Sequence, residues 1–163
     1  MNHYKSWSGL NKQLNELLCD SLKDRISYFL TRYHEVHNSY GRASIKLDGK
    51  ELVVFSWINM CKQESDAHDR WKTTDVYDSD APDLMSKWEK EGTFCDWDFL
   101  QAATDFIQAP IADALKSDNC LIRIFAILDR RVGKRTIKQI QESEIYKTYP
   151  EWVQQFYCLR FEC

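Results

Sequence analysis

Five glycines and three prolines in 163 residues leave no stretch that could serve as a flexible tether between domains. A single globular domain over residues 1–163 is expected, long enough to bury a substantial core. No apolar run approaches the roughly 18 residues of a membrane-spanning helix. The longest lies within Leu121–Leu128. Met1-Asn2-His3-Tyr4-Lys5-Ser6-Trp7 leads into no apolar segment, so no secretion signal is read and the cytoplasm is the expected compartment. Cys-x-x-Cys is absent, which excludes zinc ribbons and thioredoxin-type sites. The Gly-x-Ser-x-Gly elbow of the hydrolases is absent too. Gly133-Lys134-Arg135-Thr136 fails as a phosphate-binding loop. Arg135 separates the Lys from the Thr, and Leu128 stands where the motif needs its first Gly.

Six cysteines are present: Cys19, Cys61, Cys95, Cys120, Cys158 and Cys163. With no secretion signal and no closely spaced pair, free thiols are expected, several of them packed as small hydrophobes. The four histidines, His3, His34, His37 and His68, match no known ligand spacing. His34 and His37 with His68 and Asp66 or Asp69 would make a ligand set only by coincidence of folding, so no metal and no cofactor is expected. Trp57, Trp71, Trp88, Trp97 and Trp152 mostly fall on apolar faces and are expected in the core; one or two found outside would mark a partner anchor.

The net charge of −3 conceals an uneven distribution. Residues 62–105 hold 12 of the 25 acidic residues but 5 of the 22 basic ones. Such a face repels nucleic acid and steers a basic partner. From it Asp75, Asp78, Asp80, Asp83, Glu89 and Glu91 are the candidate partner-binding acids, with Trp71 or Trp88 as anchor. The densest basic element is Arg130-Arg131-Val132-Gly133-Lys134-Arg135, four cations in six residues. Arg130, Arg131, Lys134 and Arg135 are the candidate phosphate-binding set. Competing with that role are compensation of a helix C-terminus and bidentate pairing of Arg with a carboxylate. An isoelectric point near 5.8 disfavours nucleic acid as the general partner.

The hydropathy pattern predicts an α+β fold. Ser8 opens a first helix with Leu10, Leu14, Leu17 and Leu18 on one stripe, ending near Cys19-Asp20-Ser21. Alternation from Arg25 to Tyr33 predicts a strand. Asp48-Gly49 between two β-rich runs predicts a hairpin, so residues 25–57 form a three-stranded antiparallel meander. A helix-rich remainder follows. Pro82 opens one helix that Gly92 ends, Asp96 caps another, and Pro110 starts a short one. Asn119 caps an apolar helix, Leu121–Leu128, that Gly133 ends. Lys134–Ser143 is helical, and Pro150 opens a last helix bearing Val153, Phe156, Tyr157 and the stem of Arg160. The whole is an N-terminal helix, a β-meander, then a C-terminal cluster of five to six helices.

Leu30-Thr31-Arg32-Tyr33, Gly41-Arg42-Ala43-Ser44-Ile45, Asp48-Gly49-Lys50-Glu51, the run Ile127–Arg135 and the closing Pro150–Arg160 resemble a family of small uncharacterised bacterial proteins. The resemblance spans most of the chain. It implies a bacterial cytosolic protein and carries across no catalytic residues. Proteins of this size and kind often accompany secreted toxins as immunity partners. The functional expectation is a non-catalytic protein-binding module, of immunity type, that neutralises a basic protein such as a nuclease toxin through an acidic face. The alternative is an enzyme on nucleic acid or nucleotide, with Arg130–Arg135 holding phosphate and His34 or His37 in acid–base work. A structural subunit of a homo-oligomer is the third.

Overall fold

A computed structural model describes residues 6–32, 41–56, 89–90, 92 and 94–162. Helix α1 (Trp7–Leu17) is followed by strands β1 (Ile26–Arg32), β2 (Gly41–Leu47) and β3 (Lys50–Ser56). The chain then forms α2 (Asp96–Gln108), α3 (Ile111–Ala114), α4 (Cys120–Ile127) and α5 (Lys134–Ser143). A 3-10 turn at Ile145–Thr148 and helix α6 (Glu151–Phe161) complete it. This is the expected α+β arrangement, with strands and helices segregated along the chain.

The strands pair antiparallel in the order β1-β2-β3. Tyr28 faces Ile45 and Leu30 faces Ala43; on the other side Val53 and Phe55 face the same two residues. Period-2 alternation puts these side chains on one face. Phe29, Ser44 and Val54 share the other face. Asp48 (φ 51°) and Gly49 (φ 79°) form the tight turn between β2 and β3, the double left-handed geometry that Asp-Gly favours. Arg25 closes the hairpin tip with a two-pronged pair to Asp48 (3.1 and 2.8 Å).

Helix α2 lies on the inner face of the sheet and contacts α1 and α4, while α4 reaches α6. Phe99 of α2 is the hub. Its ring meets Trp7, Tyr28, Phe55 and Phe125 at 5.6–6.5 Å between centroids. Helix α4 is apolar nearly all round, and Cys120, Leu121, Ile124, Phe125, Ala126 and Ile127 are all buried. Such a helix belongs at the centre of a core.

Several helix ends differ from the sequence reading by a few residues. Ser6, not Ser8, caps α1, its hydroxyl accepting from Gly9 N at 3.5 Å. Helix α1 stops at Leu17. Cys95 caps α2, with Asp98 accepting from the Cys95 N–H at 2.9 Å. Asp96 is the first helical residue and is buried. Asn119 caps α4 as expected, accepting from Leu121 N at 2.9 Å. That helix ends at Ile127, and Gly133 precedes α5 rather than closing α4. Glu89 and Lys90 are helical and Gly92 follows at φ 68°, as a helix-ending Gly should. The Pro82 helix start lies outside the described residues.

Candidate binding cleft

One member of the basic cluster, Arg131, is structural. Asp129 is buried, and its carboxylate faces Arg131. Oδ1 accepts from Arg131 N (2.7 Å) and Nε (3.1 Å), and Oδ2 accepts from Nε (3.0 Å) and Nη2 (2.8 Å). The guanidinium also lies over the Phe106 ring, 5.9 Å from its centre. This is the fork-on-carboxylate geometry for which Arg is suited. The same turn is sewn to the end of α1. Arg130 N donates to Leu17 O (2.7 Å) and Cys19 N to Leu128 O (2.9 Å). Tyr28 packs nearby, and its phenol is held far above the usual range by burial first and by the Asp129 charge second.

Arg131 is therefore committed to the fold. Arg130, Lys134 and Arg135 are exposed and have no ion pair among the described residues. Lys134 and Arg135 occupy the first turn of α5, the end at which a helix favours anions over cations. The idea that these cations compensate a helix C-terminus thus fails for the last two.

The acidic residues divide differently. Asp75, Asp78, Asp80, Asp83, Glu91, Trp71 and Trp88 lie outside the described residues, as do all four histidines, Cys61, Cys163 and Trp57. Asp96, which belongs to the acidic stretch by sequence, is buried and faces inward against Gly41. Of the candidate acids only Glu89 is described, and it lines a cavity of about 310 Å³ between α2 and the start of α4. Asp98, Gln101, Asp118 and Asn119, all exposed, share that lining. Phe94, Cys120 and Leu121 form its more buried part, and the accessible wall is mainly apolar.

Arg123 stands behind this cleft, outside its lining. Its Nη1 donates to the carbonyls of Ser117 (2.7 Å) and Asp118 (3.3 Å). Nη2 stands 3.6 Å from Glu89, and the guanidinium lies over Tyr149 at 4.5 Å. Trp152 Nε1 donates to the Glu89 carbonyl at 2.8 Å. Burial, with the charge of Glu89 second, pushes the Cys120 thiol up to about 12. Burial, with Asp98 second, pushes Cys95 up to about 11. Both thiols are thus protonated at neutral pH, the opposite of an activated nucleophile. Cys19, Cys95, Cys120 and Cys158 are free thiols.

Asp98 and Asp118 carry no sequence mark that sets them apart as cleft residues. Asp98 looks like a helix-start acid and Asp118 like a residue before a cap. Only the packing of α2 against α4 brings them together. Among the described residues no group of three or more His, Cys, Asp and Glu is placed to hold a metal ion, and no helix is long and apolar enough to cross a membrane. Two of the six tryptophans, Trp7 and Trp152, are half-buried in the core. Trp97, expected in the core, is 51% exposed, because the neighbours that α2 turns inward are Asp96 and Phe99.

The family model of the SF0329 protein family matches residues 6–161. Neither the curated proteins nor the solved structures contain a match to the chain.

Proposed function

The chain belongs to the SF0329 protein family, and we propose that it is a non-catalytic protein-binding module for a basic protein. An immunity-type role, neutralising a cationic toxin such as a nuclease, is the finer form of this reading. One observation carries it: the cleft with Glu89, Asp98 and Asp118 in its lining has no Lys or Arg among its described lining residues. Acidic surfaces steer basic partners and select against acidic ones. The 62–105 stretch, with its 12 acids, continues the same charge along the chain.

The test is affinity capture from a cell extract with three baits. These are the wild type, the Asp75→Asn/Asp78→Asn/Asp80→Asn/Asp83→Asn variant, and the Glu89→Gln/Asp118→Asn variant. One basic protein held by the wild type and lost by both variants is the expected result. Equal retention by all three sinks the acidic-face reading.

The enzyme alternative has one observation in its favour. Lys134 and Arg135 stand exposed at the start of α5, where a bound anion would relieve their repulsion with the helix dipole. A titration with inorganic phosphate and a mononucleotide, read on Lys134 and Arg135 amide resonances, tests it.

A further inference from the structure

The fold uses the same device twice. Arg131 sits between the Asp129 carboxylate and the Phe106 ring, and Arg123 between Glu89 and the Tyr149 ring. In both, the guanidinium lies over an aromatic ring with a carboxylate beside it; Asp129 takes the N–H groups of Arg131, whereas Arg123 donates to the Ser117 and Asp118 carbonyls with Glu89 3.6 Å away. The cleft offers these two elements again. Phe94 supplies an aromatic surface, Leu121 an apolar one, and Glu89, Asp98 and Asp118 supply carboxylates. None of the described lining residues is a cation.

We propose that this cleft is the seat for one arginine side chain of the basic partner. Its aliphatic stem would lie along Phe94 and Leu121 and its guanidinium would reach the Asp118, Asp98 and Glu89 carboxylates. The size fits, since about 310 Å³ is at the small end of ligand-binding cavities and holds a side chain rather than a cofactor. Capacity is left on the acids. Asp98 accepts from Cys95 N and lies beside the Cys95 thiol, while an ionised carboxylate accepts about four hydrogen bonds. Glu89 meets Arg123 at 3.6 Å on one oxygen. Lysine would fit less well, because its point charge cannot serve a fork of carboxylates and an aromatic surface together. Buried arginines are also frequent hot spots of protein interfaces. This inference rests on the protein-binding reading, to which it adds the recognised side chain.

The probe is the capped tripeptide acetyl-Gly-Arg-Gly-amide. Its controls contain lysine, or citrulline, the neutral isostere of arginine. The readout is amide chemical shift of the full-length protein. Saturable shifts are expected at Asp98, Gln101 and Asn119–Leu121, with the citrulline peptide weaker by about tenfold or more. Asp118→Asn should weaken the arginine peptide several-fold; that side chain is exposed and no fold contact is lost with it. Glu89→Gln should do the same, with a lowered thermal midpoint because it also breaks the ion pair to the largely buried Arg123. Absence of saturable shifts there, or equal shifts with citrulline, overturns the proposal. So does an undiminished response in Asp118→Asn. The two readings fail separately. If the peptide binds and no basic protein is captured, the cleft stands and the protein-binding function falls. If a basic protein is captured through the 75–83 acids while the peptide does not bind, only the arginine seat falls.

Discussion

At Gly41 the sheet comes into close contact with the start of α2. A Cβ there would land on the Asp96 carboxylate, 2.6 Å from Cγ, and 2.8 Å from the Thr31 carbonyl. Neither neighbour can yield easily. Asp96 is buried at the start of α2, and Thr31 O belongs to the paired strand. Gly41→Ala should therefore destabilise by about 1–3 kcal/mol, the usual cost of overpacking. For a chain of this size that lowers the melting temperature by roughly 2–4 °C per kcal/mol, readable by calorimetry. A fall of less than 1 °C would mean that α2 can slide away from β2. Asp129 is a second such residue, because four hydrogen bonds from Arg131 end on it. Asp129→Asn keeps the shape but loses the charge and half the acceptors. The expected loss is about 1–3 kcal/mol, since hydrogen bonds to charged groups are the stronger ones. The thiols of Cys95 and Cys120 should also behave alike. Both are raised from 9.0, to about 11 and about 12, so the folded state resists their ionisation. The stability this gives is full below pH 9 and is lost as pH rises toward those values. At pH 8 peptide mapping after iodoacetamide should find both unmodified in the folded protein and modified in denaturant.

At the scale of elements, what the sequence reveals depends on how local the cause is. The β2–β3 turn was legible because Asp48-Gly49 carries its own conformational requirement. The burial of α4 was legible because a helix apolar nearly all round has nowhere else to go. Capping was harder to read. Ser6 and Ser8 are both capping types, and which hydroxyl reaches the Gly9 N–H depends on where the chain enters the helix. The cleft was only partly legible. Glu89 stood out as part of an acidic stretch, but its companions come from α2 and from the Asp118-Asn119 turn through tertiary packing alone. The hairpin offers an acid-limb prediction. The Arg42 guanidinium holds Glu51 below its ordinary 4.5, and Arg25 holds Asp48 below its ordinary 3.8. Depressed carboxylates stabilise fully above their unfolded values and lose that contribution as pH falls through the folded ones. Glu51→Gln should thus flatten the stability profile below about pH 4.5 and cost less than about 1 kcal/mol at pH 7, because the Arg42–Glu51 pair is partly solvated. Urea midpoints from pH 2 to 7 measure it. A tertiary device deserves the same scrutiny. Phe55, Phe94 and Trp152 form a ring triangle with sides of 6.0–6.3 Å. It joins β3 to the Phe94 segment and to α6. Trp152→Leu removes the rings' partner and the bond to Glu89 O, so it should loosen the cleft wall as well as the core.

At the scale of the whole molecule, the described residues handle charge in two ways. Cations are spent on internal geometry: Arg131 on Asp129, Arg123 on two carbonyls and Glu89, Arg160 on the Val132 carbonyl at 3.0 Å. The acids of the cleft are tied less completely and face solvent. A cleft that displays Glu89, Asp98 and Asp118 with no cation among its described lining residues presents a negative field to anything approaching that side. Such a field acts mainly on the association rate and weakens within about 10 Å at 0.1 M salt. Capture of a basic protein by the wild type should accordingly fall steeply between about 0.05 and 0.5 M sodium chloride, with the change confined to the association phase in a surface-binding measurement. The arginine seat makes a different demand, because a guanidinium held against Phe94 and between carboxylates is screened less than an exposed pair. Raising salt should therefore leave the dissociation rate almost unchanged. Asp118→Asn should quicken dissociation several-fold at every salt concentration. If salt accelerates dissociation and Asp118→Asn changes only the association rate, then the cleft contributes field alone and no side chain is seated in it.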